Sequence, residues 1–214
     1  MSEKKERKSL QSPVGIATFE HLWEPFAFPA KPNRPAKDPA YSVMLVFDAE
    51  KVASPEMKAL KRACIQGAAD KFKLDFDEVK KRMALPAQSS KFIAMPWRKC
   101  SDTDYPDEYG APFDLPGAQM INFKSNTAPG IVDKRAKPIM DRKLVYAGAL
   151  IRVSFGVWPY DTDGSKGVTL LLNNVQKAGD GPRLAGRPDA EDEFDPIDGG
   201  DDGDDDGDSD DDPI

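Results

Sequence analysis

Hydrophobic positions along this chain keep two different periods, and the switches between them mark out the elements. Val14 to Phe19 begins the pattern. Tyr41, Val43, Leu45 and Phe47 alternate with Ser42, Met44 and Val46, and the β-branched content predicts a well-buried strand. The period then changes. Ser54 and Pro55 form an N-cap and first helical position, after which Met57, Leu60, Cys64, Ala68 and Phe72 recur at three- and four-residue spacing. One amphipathic helix follows, its outer face carrying Lys58, Lys61, Arg62 and Lys73 as a solvated surface. A shorter helix is expected from Asp77 to about Ala84. Gln119 to Lys124 reads as a strand. Leu144 to Trp158 is the clearest β segment. Past a bulge at Gly148, Ile151, Val153, Phe155 and Val157 fall on one face, and Arg152, Ser154, Gly156 and Trp158 on the other. A turn over Asp161 to Gly167 joins it to Val168 through Val175 as a hairpin. The fold class is mainly β with an inserted helix, α+β overall.

Breaks in the pattern set the boundaries. Residues 1–12 are polar and charged and predict a flexible arm. Between Pro25 and Pro39 five prolines alternate with Lys31, Arg34 and Lys37, which excludes helix and central strand and leaves an extended basic loop. Lys91 to Pro116 gathers turn formers with Trp97, Tyr105, Tyr109 and Phe113, as a long functional loop or hairpin would. Pro129 to Pro138 is a basic connection. One domain over 13–187 is therefore expected, with a disordered tail over 188–214 that has too little apolar surface to offset its ordering entropy.

Charge changes the picture. The net charge of -7 conceals a split, because 15 acidic residues between Asp189 and Asp212 are accompanied by no Lys or Arg. The remainder sets 30 Lys and Arg against 22 Asp and Glu, a surplus of eight positive charges. Such a chain suits a polyanion-binding domain tethered to its own polyanion mimic. The tail ends in Asp210, Asp211, Asp212, Pro213 and Ile214, an apolar tip on a run of carboxylates. The run suits competition for a basic groove, and the tip suits a partner's small pocket.

Enzymatic chemistry finds no residues to work with. His21 is the one histidine and reads as structural, and neither a Walker-type phosphate loop nor a nucleophile elbow occurs. Asp161, Asp163 and Gly164 resemble the start of a calcium loop, but Leu172 stands where a carboxylate is required, so a turn is the better reading. No metal or cofactor is implied. Cys64 and Cys100 fit a reduced cytoplasm, and no membrane-spanning run appears.

What remains is the interleaving of cations with aromatics. Trp97 stands beside Arg98 and Lys99, Phe123 beside Lys124, and Arg152, Trp158 and Tyr160 follow along one strand; Arg142 and Lys143 add nearby charge. A solvent-facing Trp on a strand is costly unless something covers it, and unpaired bases do so by stacking. The aromatics and Arg152 are expected to stack on or brace bases, and Arg98, Lys99, Lys124, Arg142 and Lys143 to neutralise phosphates. DNA and RNA are equally suited to such a surface.

Several segments carry a resemblance to a known family. They are Pro129-Gly130-Ile131-Val132-Asp133, Tyr146-Ala147-Gly148-Ala149, Ile151-Arg152-Val153, Trp158-Pro159-Tyr160-Asp161 and Lys166-Gly167-Val168, leading through Leu172-Asn173-Asn174-Val175-Gln176-Lys177. Over most of residues 12–195 the chain resembles the OB-fold single-stranded-DNA-binding proteins of tailed phages, whose chains also end in acidic tails with an apolar tip. The resemblance implies an OB-like five-stranded barrel with an inserted helix, single-strand binding during phage DNA replication or recombination in the host cytoplasm, and tail contacts with replication or recombination proteins. Ile214 departs from the aromatic ending of the better-studied branch. Homo-oligomer formation stays open. Two rivals stand beside this reading: a tail-driven interaction module or nucleic-acid mimic that binds basic proteins, and a nuclease or recombinase accessory with metal ligands among Asp102, Asp104 and Asp107.

Overall fold

The computed structural model describes residues 9–27, 29, 38–102, 110–162 and 164–184. Its elements in chain order are β1 (Leu10–Gln11), β2 (Gly15–Phe26), β3 (Ala40–Phe47), α1 (Ala49–Ala53), α2 (Pro55–Phe72), α3 (Phe76–Met83), β4 (Ile93–Ala94), β5 (Trp97–Lys99), α4 (Gly110–Phe113), β6 (Gln119–Ser125), β7 (Gly130–Val132), β8 (Leu150–Thr162) and β9 (Ser165–Gly179). The nine strands form one sheet, with α2 packed across β8, β9 and β1.

The long hairpin is the scaffold. β8 and β9 pair from Leu150 opposite Gly179 to Thr162 opposite Ser165, with an irregularity between Ser154 and Phe155. β2 pairs antiparallel with β8 on one side and β3 on the other, β3 pairs with β6, and β6 runs parallel to β9 through Phe123 opposite Leu170 and Lys124 opposite Leu171. Alternation along these strands sends Val43, Leu45, Ile121, Phe123, Ile151, Val153, Phe155 and Leu170 into one core.

Local chemistry places the helices as expected. Met57 donates its N–H to Ser54 Oγ at 3.2 Å, and Pro55 takes the first turn, where its missing N–H costs nothing. Met57, Leu60, Cys64 and Ala68 close over the sheet. The approach is tight at Gly67, where a Cβ would lie 2.9 Å from Val157 Cγ1. Asp75 caps α3, its Oδ1 accepting from the Glu78 N–H at 2.6 Å. Burial pushes the Cys64 thiol up to about 12 and that of Cys100 up to about 11, so both cysteines are apolar fillers with negligible thiolate at neutral pH.

Four expectations change. The arm does not extend through residue 12: Leu10 and Gln11 pair with Phe155 and Ser154, and buried Ser12 exchanges bonds with Val153, donating its N–H to the carbonyl at 2.9 Å and accepting on Oγ at 3.1 Å. The clearest strand begins at Leu150 rather than Leu144, which closes a 3-10 turn over Arg142–Leu144. Gly148 is a turn residue at φ 110°, where a side chain would also collide with the Pro182 carbonyl. The basic connection after Pro129 contains a strand, since β7 pairs parallel with Asn174, Val175 and Gln176 of β9. Most of the proline-rich loop, Tyr105, Tyr109, Asp104, Asp107, Asp163 and the tail lie outside the described residues. Among the described residues no helix is long and apolar enough to cross a membrane.

Phe123 and Phe155 meet at the centre of the core, their ring centroids 5.4 Å apart and tilted by 53°. Phe123→Ala is expected to lower stability by about 3–5 kcal/mol, read as a shift in the urea midpoint at unchanged slope.

Candidate nucleic-acid interface

The face of the sheet that turns away from the core forms the floor of an open cleft of about 1320 Å³. Its residues follow from register. Lys124 of β6 lies between Ser42 of β3 and Leu171 of β9. Trp158 and Tyr160 of β8 lie opposite Thr169 and Gly167, and Thr169 joins them in the lining. Asn122 lies on the same floor, two residues from Lys124. One wall is the segment Phe92, Ala94, Met95, Pro96, Trp97 and Arg98, held by β4 on β9 and β5 on β6. Phe26, 41% exposed at the end of β2, stands at another edge with Asp38 and Ala40.

Aromatic surface is therefore concentrated on one side. Trp158 is 46% exposed. Phe26 is stacked on His21 at 4.5 Å with the rings 11° from parallel, and burial holds the imidazole below its usual pKa, which favours the neutral ring. Trp97 is half-buried, and the Lys61 ammonium lies 5.5 Å from its ring centroid. Lys61 also donates to Gln119 Oε1 at 2.7 Å. Arg98 and Lys124 carry exposed positive charge into the cleft, with Asp38 the one acidic residue among the lining groups described.

The structure brings together Trp97, Arg98, Lys124, Trp158 and Tyr160 from the expected set. Lys99 follows directly on β5, exposed, outside the lining. Phe123 is a correction: it is 0% exposed and packed on Phe155, so it cannot stack on a base. Adjacent strand residues face opposite ways, and a Phe123 turned outward would bury Lys124 instead. Arg152 keeps the face of Trp158 but lies about 20 Å along the strand from it. Its Nε donates to Gln176 Oε1 at 2.8 Å, and Gln176 Nε2 in turn donates to the Asp133 carbonyl at 2.9 Å, so it braces β7. Arg142 pairs with Glu24 at 2.6 Å on an open surface, and Lys143 follows it; neither lines the cleft. Phe26 and Phe92 are the aromatics that sequence reading missed. The alternation preceding Phe26 was the available signal, masked by Pro25.

A mainly β sheet with a few helices and this cleft has the fold of phage single-stranded-DNA-binding proteins. The family model described as "Enterobacter phage Enc34, ssDNA-binding protein" matches residues 16–209, and the chain belongs to that family. The single-stranded-DNA-binding protein of bacteriophage Enc34, solved in complex with ssDNA, superposes with a TM-score of 0.60 at 15% identity, covering 82% of this chain and 88% of that one. The gp2.5 single-stranded-DNA-binding protein of bacteriophage T7 gives 0.54 at 18% identity, covering 88% and 95%. At such identities the likeness is one of fold. No curated protein sequence matches.

Of the three tryptophans, Trp23 and Trp97 are half-buried and Trp158 is exposed. Iodide quenching of the free protein is expected to lose most of its accessible fraction in Trp158→Phe, with little change in Trp23→Phe.

Proposed function

We propose that this chain binds and protects single-stranded DNA in the cleft, without strong sequence preference, during phage DNA replication or recombination in the host cytoplasm. The observation that carries the reading is the one cleft that Trp158, Tyr160, Trp97 and Phe26 line together with Lys124 and Arg98. Flat aromatic surface accepts any base, and the cations track the backbone. Family membership supports the ligand, and the Enc34 relative was solved with ssDNA. The strand pairings from β8 through β2, β3, β6 and β9 back to β8 support a closed, OB-like five-stranded barrel beneath the cleft.

The acidic tail is a competitor for the same cations. Its carboxylates compete with DNA in the cleft, and its end, from Asp210 to Ile214, recruits replication or recombination proteins when DNA displaces it. Lys99, Arg142 and Lys143 add to the field that draws in the strand.

Anisotropy titration of labelled oligo-dT and a matched duplex, across a salt series, tests this reading. Selective, salt-sensitive single-strand binding is expected, equal or tighter in a chain ending at Pro188. Trp158→Ala should weaken it by about 1–3 kcal/mol with the salt slope unchanged. Lys124→Gln should reduce the slope by about 0.7. Absence of binding by both chain lengths overturns the proposal in favour of a tail-driven interaction protein.

A further inference from the structure

The outer face of α2 reads from sequence as an ordinary solvated surface, yet the fold sets it against the cleft wall. Lys58, Lys61 and Arg62 fall on one helix face at three- and four-residue spacing, with Lys58 and Arg62 about 6 Å apart along the axis. Beneath them is a hollow of about 570 Å³ between α2 and α3, lined by these three residues with Ile65, Gln66 and Phe76. Its floor is apolar and its rim cationic. Among the described residues no carboxylate is within ion-pair distance of Lys58, Lys61 or Arg62. Asp70 accepts from Gln66 at 2.8 Å, Asp77 and Glu78 pair with Lys80 and Arg82 at 3.5 and 2.7 Å, and Glu56 stands exposed in the first turn of α2.

Lys61 joins this hollow to the cleft. It lines the hollow, lies 5.5 Å from the Trp97 ring centroid and bonds Gln119, the β6 residue that opposes Lys99. Trp97 itself lines the cleft. Through Lys61 the cationic face of α2 therefore adjoins the Trp97 wall of the cleft.

We infer that the α2–α3 face is a second segment of the single-strand track, taking the strand as it leaves the cleft over Trp97, with Lys58 and Arg62 on successive phosphates and the apolar floor of the hollow beneath a sugar. This rests on the cleft reading above and enlarges the bound length beyond it. Phosphate held on a helix face and bases held on the sheet face divide one strand between two surfaces.

The test uses the full chain and two lengths of oligo-dT: about 5 nucleotides, enough for the cleft, and about 20, enough for cleft and helix face. Lys58→Glu/Arg62→Glu is expected to leave the short strand's affinity and salt slope unchanged. With the long strand its slope should fall by about 1.4, two contacts at about 0.7 each, with binding weaker by about tenfold at low salt. Lys71→Glu/Lys73→Glu, at the far end of α2, makes the same change in net charge and should behave as the unaltered protein. Unchanged long-strand binding in the first variant overturns the track while leaving the cleft intact. An equal loss in the two variants also overturns it, since general repulsion then explains the effect. A change of similar size with the short strand overturns it too, because the face then acts on the cleft or the tail. If the unaltered protein binds neither length, the cleft reading itself fails.

Discussion

The register of β6 against β3 and β9 is the constraint from which the cleft face follows. Phe123 enters the core opposite Val43 and Leu170 and meets Phe155 from the hairpin. Once that ring is inside, Lys124 must face out, and so must Ser42 and Leu171 beside it. The same alternation from Phe155 along β8 sends Trp158 and Tyr160 to Lys124's side of the sheet. A slip of one residue would bury Lys124 and expose Phe123, at a cost the core cannot offset. The floor of the cleft is in this sense the complement of the core.

Much of this was legible from hydrophobic period alone. Ser54 and Pro55 marked the start of α2 because capping chemistry is local, and Ile151 to Val157 announced a strand because four apolar residues in strict alternation leave one interpretation. Adjacency to Lys124 is no guide to the face that Phe123 takes. In a strand, adjacency separates side chains rather than uniting them. Met120 and Ile121 further blurred the alternation, being buried on both sides, one under the small cluster with Cys100 and Phe113 and one in the main core.

Other features depend on partners distant in sequence. β1 and β7 are two and three residues long, too short for a periodic signal, and exist because β8 and β9 offer free edges to them. Arg152 illustrates the same limit: its strand face follows from alternation, but its partner Gln176, and through it the Asp133 carbonyl, come from another strand and a turn.

α2 divides its residues between a face that seals the core and a face that carries charge. Its inner residues, Met57, Leu60, Cys64 and Ala68, seal the core, and the Gly67 contact brings the helix down on Val157. Its outer cations make no ion pair among the described residues and hold nothing in place, so the fold sets little restriction on their charge. Lys61 is the exception. Half-buried between Trp97 and Gln119, it is partly desolvated, which lowers its pKa, and its ammonium sits over a ring of the cleft wall. Lys61 thus keeps its charge at some cost in hydration, offset by the Trp97 ring and the Gln119 side-chain carbonyl, and these two contacts tie the helix to the cleft wall.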